Sequence, residues 1–136
     1  DQVTHSPAET EAFGERVGKR LRTGDMVLLT GELGAGKTTF VRGVARGAGS
    51  SARVASPTFQ LVRMYTGRVQ LAHVDLYRIE TPSELGDLGL DELLDQGAVV
   101  VEWGDRLDAP EAALVHIEHL EGDRRMIRVK RDLIKR

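Results

Sequence analysis

The stretch that decides the fold is Gly31-Glu32-Leu33-Gly34-Ala35-Gly36-Lys37-Thr38, which matches the pattern Gly-x-x-x-x-Gly-Lys-Ser/Thr at every fixed position. A short apolar run, Met26–Thr30, precedes it and is typical of a buried strand. The residues from 37 to about 46 are compatible with a helix that carries apolar residues on one face. Strand, glycine-rich loop and helix in this order are the context that a phosphate-binding loop, or P-loop, requires.

Each part of this loop predicts a contact with ATP. The glycines permit backbone conformations in which N–H groups converge on a phosphate, assisted by the positive end of the following helix. Lys37 is expected to neutralise the β- and γ-phosphates, and the Thr38 hydroxyl is expected to bind Mg²⁺. The alternative, a chance glycine-rich turn, is disfavoured because the flanking strand and helix are predicted independently of the motif. The predicted nucleotide contacts are Glu32, Leu33, Gly34, Ala35, Gly36, Lys37, Thr38 and Thr39, although Thr39 alone has the character of an ordinary helix residue.

Two carboxylates are candidate ligands of the Mg²⁺ ion. A P-loop ATPase needs a carboxylate at the end of a neighbouring strand to hold the metal directly or through water. Asp75 follows the apolar run 69–74, and Glu102 follows the apolar run 98–101. Ligands of open α/β sheets bind at this end of the strands. Either residue alone could be a solvated strand end, but the presence of both favours a metal site.

Three further features leave alternatives open. Thr58 lies in Ser56-Pro57-Thr58, where a hydroxyl could sense the γ-phosphate, although the spacing alone favours an ordinary Ser–Pro turn. His73 alternates with Asp75 and is expected to face the same side of a strand, in a role in proton transfer or in structure. Trp103 could stack on a base or a partner, or simply belong to the core.

The rest of the chain predicts one α/β domain over residues 1–136. Ser6-Pro7-Ala8-Glu9 signals the start of a helix that ends before Gly24. Two strand pairs with short glycine-containing turns are expected, 59–65 with 69–75 and 114–120 with 126–129. Thr81-Pro82-Ser83-Glu84 precedes short helical pieces that contain Leu85, Leu88, Leu93 and Leu94. Together these elements predict a P-loop NTPase fold with a mixed, mostly parallel central sheet and flanking helices.

Composition excludes several classes of protein. The 136 residues carry a formal net charge of -2, which argues against binding dominated by a nucleic-acid backbone such as DNA. Cysteine is absent, and no apolar run approaches the ~20 residues that span a bilayer, so we expect a cytoplasmic protein without a membrane segment. The sequence has no Asn-Lys-x-Asp segment to recognise guanine, which argues against a GTPase.

Three more motifs follow the P-loop in order: Ser56-Pro57-Thr58-Phe59, His73-Val74-Asp75-Leu76-Tyr77-Arg78 and Val101-Glu102-Trp103. With the P-loop they resemble the TsaE family, also called YjeE. Members of that family are small bacterial ATPases required to make threonylcarbamoyladenosine in tRNAs that read codons beginning with A, and they work with TsaB and TsaD. The motifs span residues 31–103, a little over half of the chain.

The resemblance implies roles for individual residues. It supports ATP and Mg²⁺ as ligands of Lys37 and Thr38, places Asp75 and Glu102 around the metal, and makes Thr58 a switch residue. It also implies that Trp103 lies near the nucleotide. The roles of three further signature residues stay open: His73, Tyr77 and Arg78. Asp105 stands where the family often has Glu, which leaves its own role undefined.

The leading hypothesis is that ATP hydrolysis supports the TsaB–TsaD complex, with tRNA reached only through that complex. Because no arginine stands out as a finger, weak hydrolysis is expected without the partners. The alternatives are a P-loop kinase for a small metabolite and a nucleotide-gated binding module that does not require hydrolysis. The basic residues near the C-terminus are interpreted as a solvated terminal strand rather than a surface for RNA or an acidic partner: Arg124, Arg125, Arg128, Lys130, Arg131, Lys135 and Arg136.

Overall fold

The strand before the P-loop lies in the middle of one sheet. The structure, a computed structural model, describes residues 1–32, 34–51, 62–76, 89–103 and 109–135. In these ranges the strands are β1 (Gln2–Thr4), β2 (Met26–Thr30), β3 (Val62–Tyr65), β4 (Leu71–Asp75), β5 (Ala98–Glu102), β6 (Ala113–His119) and β7 (Arg125–Lys130). The helices are α1 (Pro7–Arg20), α2 (Lys37–Gly47) and α3 (Leu90–Gln96), followed by a 3-10 turn over Leu133–Lys135. None of the described helices combines the length and the apolar character that a membrane crossing needs.

The sheet has the order β1-β7-β6-β2-β5-β4-β3 in the described part of the chain. Strands β4, β5, β2 and β6 are parallel, whereas β3, β7 and β1 join the flanks by antiparallel pairing. Parallel strands end at one edge of a sheet, so the residues that follow β2, β4 and β5 come together there. The predicted mixed α/β sheet and both hairpins are confirmed, although residues 59–61 of the first hairpin lie outside the described residues. Strand β1 was not predicted from the sequence.

Helices cover both faces of the sheet. Val27 and Leu29 of β2 point to the core cluster shared with α1 and α2, whereas Leu28 points to a second cluster on the opposite face. Leu93 and Leu94 of α3 pack against that second cluster. Strands buried on both faces require nearly continuous apolar sequence, which is why β2 and β5 appear as short apolar runs rather than alternating patterns.

The predicted start of α1 is confirmed in atomic detail. The Ser6 side chain accepts a hydrogen bond of 3.1 Å from the Glu9 N–H, and a Glu9 carboxylate oxygen accepts one of 3.0 Å from the His5 N–H. Pro7 occupies the first helical position, where its missing N–H costs nothing. The helix-start signal at 81–84, with Leu85 and Leu88, lies outside the described residues.

Helices α1 and α2 pack with their main chains in contact. Four glycines form this contact: Gly14 and Gly18 of α1, and Gly43 and Gly47 of α2. A Cβ atom added at Gly14 would lie 2.2 Å from the Phe40 carbonyl oxygen, and one added at Gly43 would lie 1.9 Å from the Glu11 carbonyl oxygen. Any side chain at these positions would therefore force the helices apart. The contact fixes α2, and with it the start of α2 at the P-loop, against α1.

We expect Gly43→Ala to lower the free energy of unfolding by about 2 kcal/mol, since the added methyl group overpacks a rigid main-chain contact. Urea denaturation of the variant and the parent protein measures this difference. Arg42→Ala, at an exposed position of the same helix, is the matched control and is expected to change stability by less than about 0.5 kcal/mol. Equal stability of the two variants would contradict the close packing of α1 and α2.

Candidate nucleotide-binding site

The P-loop leaves the start of α2 open toward the sheet edge. Gly31, Gly34 and Gly36 have φ values of 145°, 79° and 104°, in the region that side-chain-bearing residues rarely adopt. Gly36 is the N-cap of α2, and no side chain caps the helix. The first N–H groups of a helix have no partner within the helix and carry partial positive charge. This loop therefore presents the geometry and the charge that suit an anionic phosphate.

Lys37 is held beside the loop by two contacts. Its side-chain nitrogen donates a 2.7 Å hydrogen bond to the Gly31 carbonyl oxygen and lies 3.7 Å from the centre of the Trp103 ring. The residue is only 6% exposed. A buried ammonium group requires such partners, because an unpaired buried charge is costly. We expect phosphate oxygens to replace these two contacts if a nucleotide enters the loop.

The two predicted carboxylates lie side by side at the ends of neighbouring strands. Asp75 ends β4, Glu102 ends β5, and the strand register pairs them directly; Glu102 is also paired with Leu29 of β2. Paired residues of parallel strands share a face, and Leu29 belongs to the core beneath α2. The carboxylates thus face the side of the sheet that carries the P-loop helix. Asp75 is half-buried, whereas Glu102 is only 4% exposed.

His73 contacts one of these carboxylates directly. Its Nε2 atom lies 2.6 Å from Oε2 of Glu102, and the histidine is fully buried. The strand alternation placed His73 on the side of Asp75, but the partner that the structure gives it is Glu102. The contact depends on the register between β4 and β5, which the sequence alone does not provide.

Trp103 connects the loop with the second core. It follows Glu102 with φ of 60°, an uncommon conformation for a residue with a side chain. It packs against the apolar cluster on the face opposite α2, while its ring carries the Lys37 ammonium group. Trp103 therefore contacts both a core cluster and the lysine of the P-loop, and its contact with a nucleotide stays a prediction.

Arg125 is a site residue that the sequence reasoning missed. It lies on β7, and its Nε donates a 2.8 Å hydrogen bond to the carbonyl oxygen of Ala35 in the P-loop. The same guanidinium group donates to the Gly122 and Arg124 carbonyl oxygens at 3.0 Å each. The interpretation of the basic terminal residues as a solvated strand is wrong for Arg125, which braces the loop from the neighbouring hairpin. No local motif marks it, because the contact spans 90 positions of sequence.

The residues at this edge of the sheet offer oxygen ligands of the type that Mg²⁺ prefers. Thr38 lies in the first turn of α2, and Asp75 and Glu102 supply carboxylate oxygens. Among the described residues no group of three or more His, Asp or Glu side chains could hold a metal ion. Several predicted site or signature residues lie outside the described residues: Leu33, the motif 56–59 with Thr58, Tyr77, Arg78 and Asp105.

Comparison with known proteins gives a consistent result. The profile of the family described as "Threonylcarbamoyl adenosine biosynthesis protein TsaE" matches residues 4–129. The tRNA threonylcarbamoyladenosine biosynthesis protein TsaE of Treponema pallidum is 42% identical over 106 residues, which cover 77% of this chain and 78% of the relative. The protein of the same name from Bacillus subtilis is 41% identical over 130 residues, which cover 94% of this chain and 75% of the relative.

The fold also matches a solved structure. The crystal structure of Bacillus subtilis YdiB superimposes on this chain with a TM-score of 0.76 and 33% sequence identity. The match covers 93% of this chain and 80% of YdiB. The α/β fold predicted from the P-loop and its flanking elements is thereby confirmed at the level of the whole sheet.

We expect Mg-ATP to change the fluorescence of Trp103, because phosphate binding draws Lys37 away from its ring. The chain contains one tryptophan, so the emission reports this site alone. A fluorescence titration should show a saturable change in the parent protein and none in Lys37→Ala. The exposed Lys19 supplies a control, and Lys19→Ala should respond like the parent. ATP uptake seen by calorimetry without any change in emission would contradict the exchange of partners.

We expect Arg125→Gln to weaken ATP binding about tenfold, the effect of losing a hydrogen bond from a charged donor. Isothermal titration calorimetry measures the affinity. Arg128→Gln is the matched control on the same strand, since Arg128 makes only exposed contacts with Glu118 and Asp1 at 3.5 and 3.9 Å. If both variants bind ATP equally well, the bond to Ala35 does not support the loop.

Proposed function

The chain belongs to the TsaE family of tRNA threonylcarbamoyladenosine biosynthesis proteins, and from that premise we propose that it binds and hydrolyses Mg-ATP to support a TsaB–TsaD complex in this modification. The chain itself does not transfer the threonylcarbamoyl group, and it meets tRNA through the complex. We propose that the protein acts in the cytoplasm.

One observation carries the proposal: the uncapped start of α2, the buried Lys37 ammonium and the Asp75–Glu102 pair meet at one sheet edge. Helix N–H groups and a lysine are suited to the phosphates of a nucleotide, and the two carboxylates at the same edge would hold a divalent metal. A structural role alone would not require an ammonium group and two carboxylates at the same edge.

The residues of the chain act by orienting the phosphates and by stabilising the negative charge on them. Lys37 exchanges the Gly31 carbonyl oxygen for oxygens of the β- and γ-phosphates and stabilises the charge that develops as the terminal phosphoryl group leaves. The N–H groups of the loop hold the chain of phosphates in line with an attacking water. Thr38, Asp75 and Glu102 would hold Mg²⁺, which supplies further positive charge to the phosphate oxygens. Arg125 keeps the loop in shape from outside.

Partner proteins are proposed to complete the site. Beside the loop lies an open cleft of about 380 Å³, lined among the described residues by Thr30, Gly31, Glu32, Trp103 and His116. A side chain of a partner could enter it and reach the P-loop from the face opposite α2. This arrangement accounts for the expectation of slow hydrolysis by the isolated chain.

We expect slow release of phosphate from ATP by the chain alone and at least tenfold faster release when TsaB and TsaD are added, since a partner that supplies one charged group contributes on the order of 10³-fold in related phosphoryl transfers. Glu102→Gln should reduce the stimulated rate roughly 100-fold, which corresponds to the several kcal/mol that a catalytic metal contributes.

The same samples separate the alternatives. Turnover that is equal with and without the partners contradicts the proposed stimulation. Labelled phosphate that appears on a small metabolite instead of in solution indicates a kinase. Normal tRNA modification by Glu102→Gln, with ATP affinity retained and hydrolysis lost, indicates gating by binding alone.

A further inference from the structure

The contact between His73 and Glu102 differs from ordinary core packing. His73 lies in the middle of β4 with no exposed surface, and its Nε2 atom is 2.6 Å from Oε2 of Glu102 at the end of β5. The side chains of His73 and Glu102 are 0% and 6% exposed. The residues around them on this face, Leu71 and Val100, are apolar and fully buried. In this setting an apolar side chain would pack at position 73 without needing any polar partner.

The direction of the hydrogen bond follows from the chemistry of the two groups. An ionised carboxylate only accepts hydrogen bonds, so a contact with ionised Glu102 requires the hydrogen on Nε2 of the histidine. Within the described residues the other ring nitrogen, Nδ1, is buried and has no hydrogen-bond partner. A neutral ring with its hydrogen on Nε2 leaves only an acceptor unpaired there, which is tolerated better than an unpaired N–H. The ring therefore serves a single polar contact, the one with Glu102.

The hydrogen bond from His73 fixes the orientation of the Glu102 carboxylate. The hydrogen bond from His73 is made to Oε2, and Oε1 takes no part in this contact. A buried carboxylate without a donor is costly and would turn toward any available one. Because His73 on β4 holds Oε2, Oε1 is the oxygen that remains to contact a metal, a metal-bound water or the attacking water. Such outer partners of metal-binding residues usually fix both their orientation and their basicity.

We propose that His73 is a positioning residue for Glu102: its Nε2–H holds Oε2 so that Oε1 points into the nucleotide site. The inference rests on the proposed function, because it assigns His73 a part in the work of Glu102. It gives His73 no contact with ATP or with the reacting atoms. Only the Nε2–H group of the ring performs this role. Another side chain that donates a hydrogen bond to Oε2 of Glu102 can therefore replace the histidine.

The experiment compares His73→Gln, whose amide can replace the Nε2–H donor, with His73→Leu, which fills the space without a donor. In the presence of the partner proteins, His73→Leu should lower kcat about tenfold or more, the usual effect of losing an outer partner of a metal ligand. His73→Gln should stay within about threefold of the parent, since its donor restores that outer contact. His119→Leu is the matched control, because this exposed histidine of the same sheet bonds only the Gly122 carbonyl oxygen.

Two further measurements do not depend on turnover. In calorimetry without Mg²⁺, His73→Leu and the parent should bind ATP with equal affinity. Mg²⁺ should raise the ATP affinity of His73→Leu about tenfold less than that of the parent. In the parent protein, long-range ¹⁵N–¹H spectra of the imidazole should place the hydrogen on Nε2. If His73→Leu does not fold, two results test the proposal: the kcat of His73→Gln relative to the parent, and the position of the imidazole hydrogen in the spectra of the parent.

The outcomes are separable. A hydrogen on Nδ1, or a His73→Leu variant with parental kcat and Mg²⁺ dependence, overturns the role of His73 and leaves the proposed function standing. Failure of the parent to bind Mg-ATP overturns both. A double-variant cycle gives the sharpest support: His73→Leu should cost nothing more in the Glu102→Gln background, whereas a full additional loss there would show that His73 acts on something else.

Discussion

The main-chain contact between α1 and α2 is the constraint on which the site depends. The N–H groups at the start of α2 bind an anion well only if the helix cannot rotate or recede, because electrostatic stabilisation requires dipoles that are oriented in advance. Long side chains between the helices would allow such movement. Gly14 and Gly43 have no side chain, so the carbonyl oxygens of Phe40 and Glu11 lie directly against the backbone of the other helix. The fold thus supplies rigidity at the position where the chemistry needs it.

The buried charges of the candidate site have partners within the protein. The Gly31 carbonyl oxygen and the Trp103 ring stabilise Lys37, and His73 stabilises Glu102. Under the proposed function, a nucleotide would replace some of these partners, so its net free energy of binding would be smaller than the number of new contacts suggests. Trp103 links Lys37 to the opposite face of the sheet, where its other contacts lie.

Sequence reasoning succeeded where the physical cause is local. The P-loop motif, the Ser6 cap, the apolar run of β2 and the glycine-containing hairpin turns each act over a few residues, and each appears in the structure as predicted. It failed where the cause is the register between distant strands. Nothing near Arg125 indicates that it bonds Ala35, and nothing in β5 indicates that Glu102 meets His73. Strand β1 was missed because three residues carry too little pattern to be distinguished from a tail.

Arg125 has one more neighbour of consequence. Strand β7, which carries it, is followed at the sheet edge by β1, where Thr4 stands opposite Arg125 and shares a buried hydroxyl contact of 2.7 Å with Thr10. The first few residues of the chain thus flank the side chain that shapes the loop, although they touch no phosphate. A change that removes β1 from the edge of the sheet is therefore expected to weaken nucleotide binding while the remaining strands still pair.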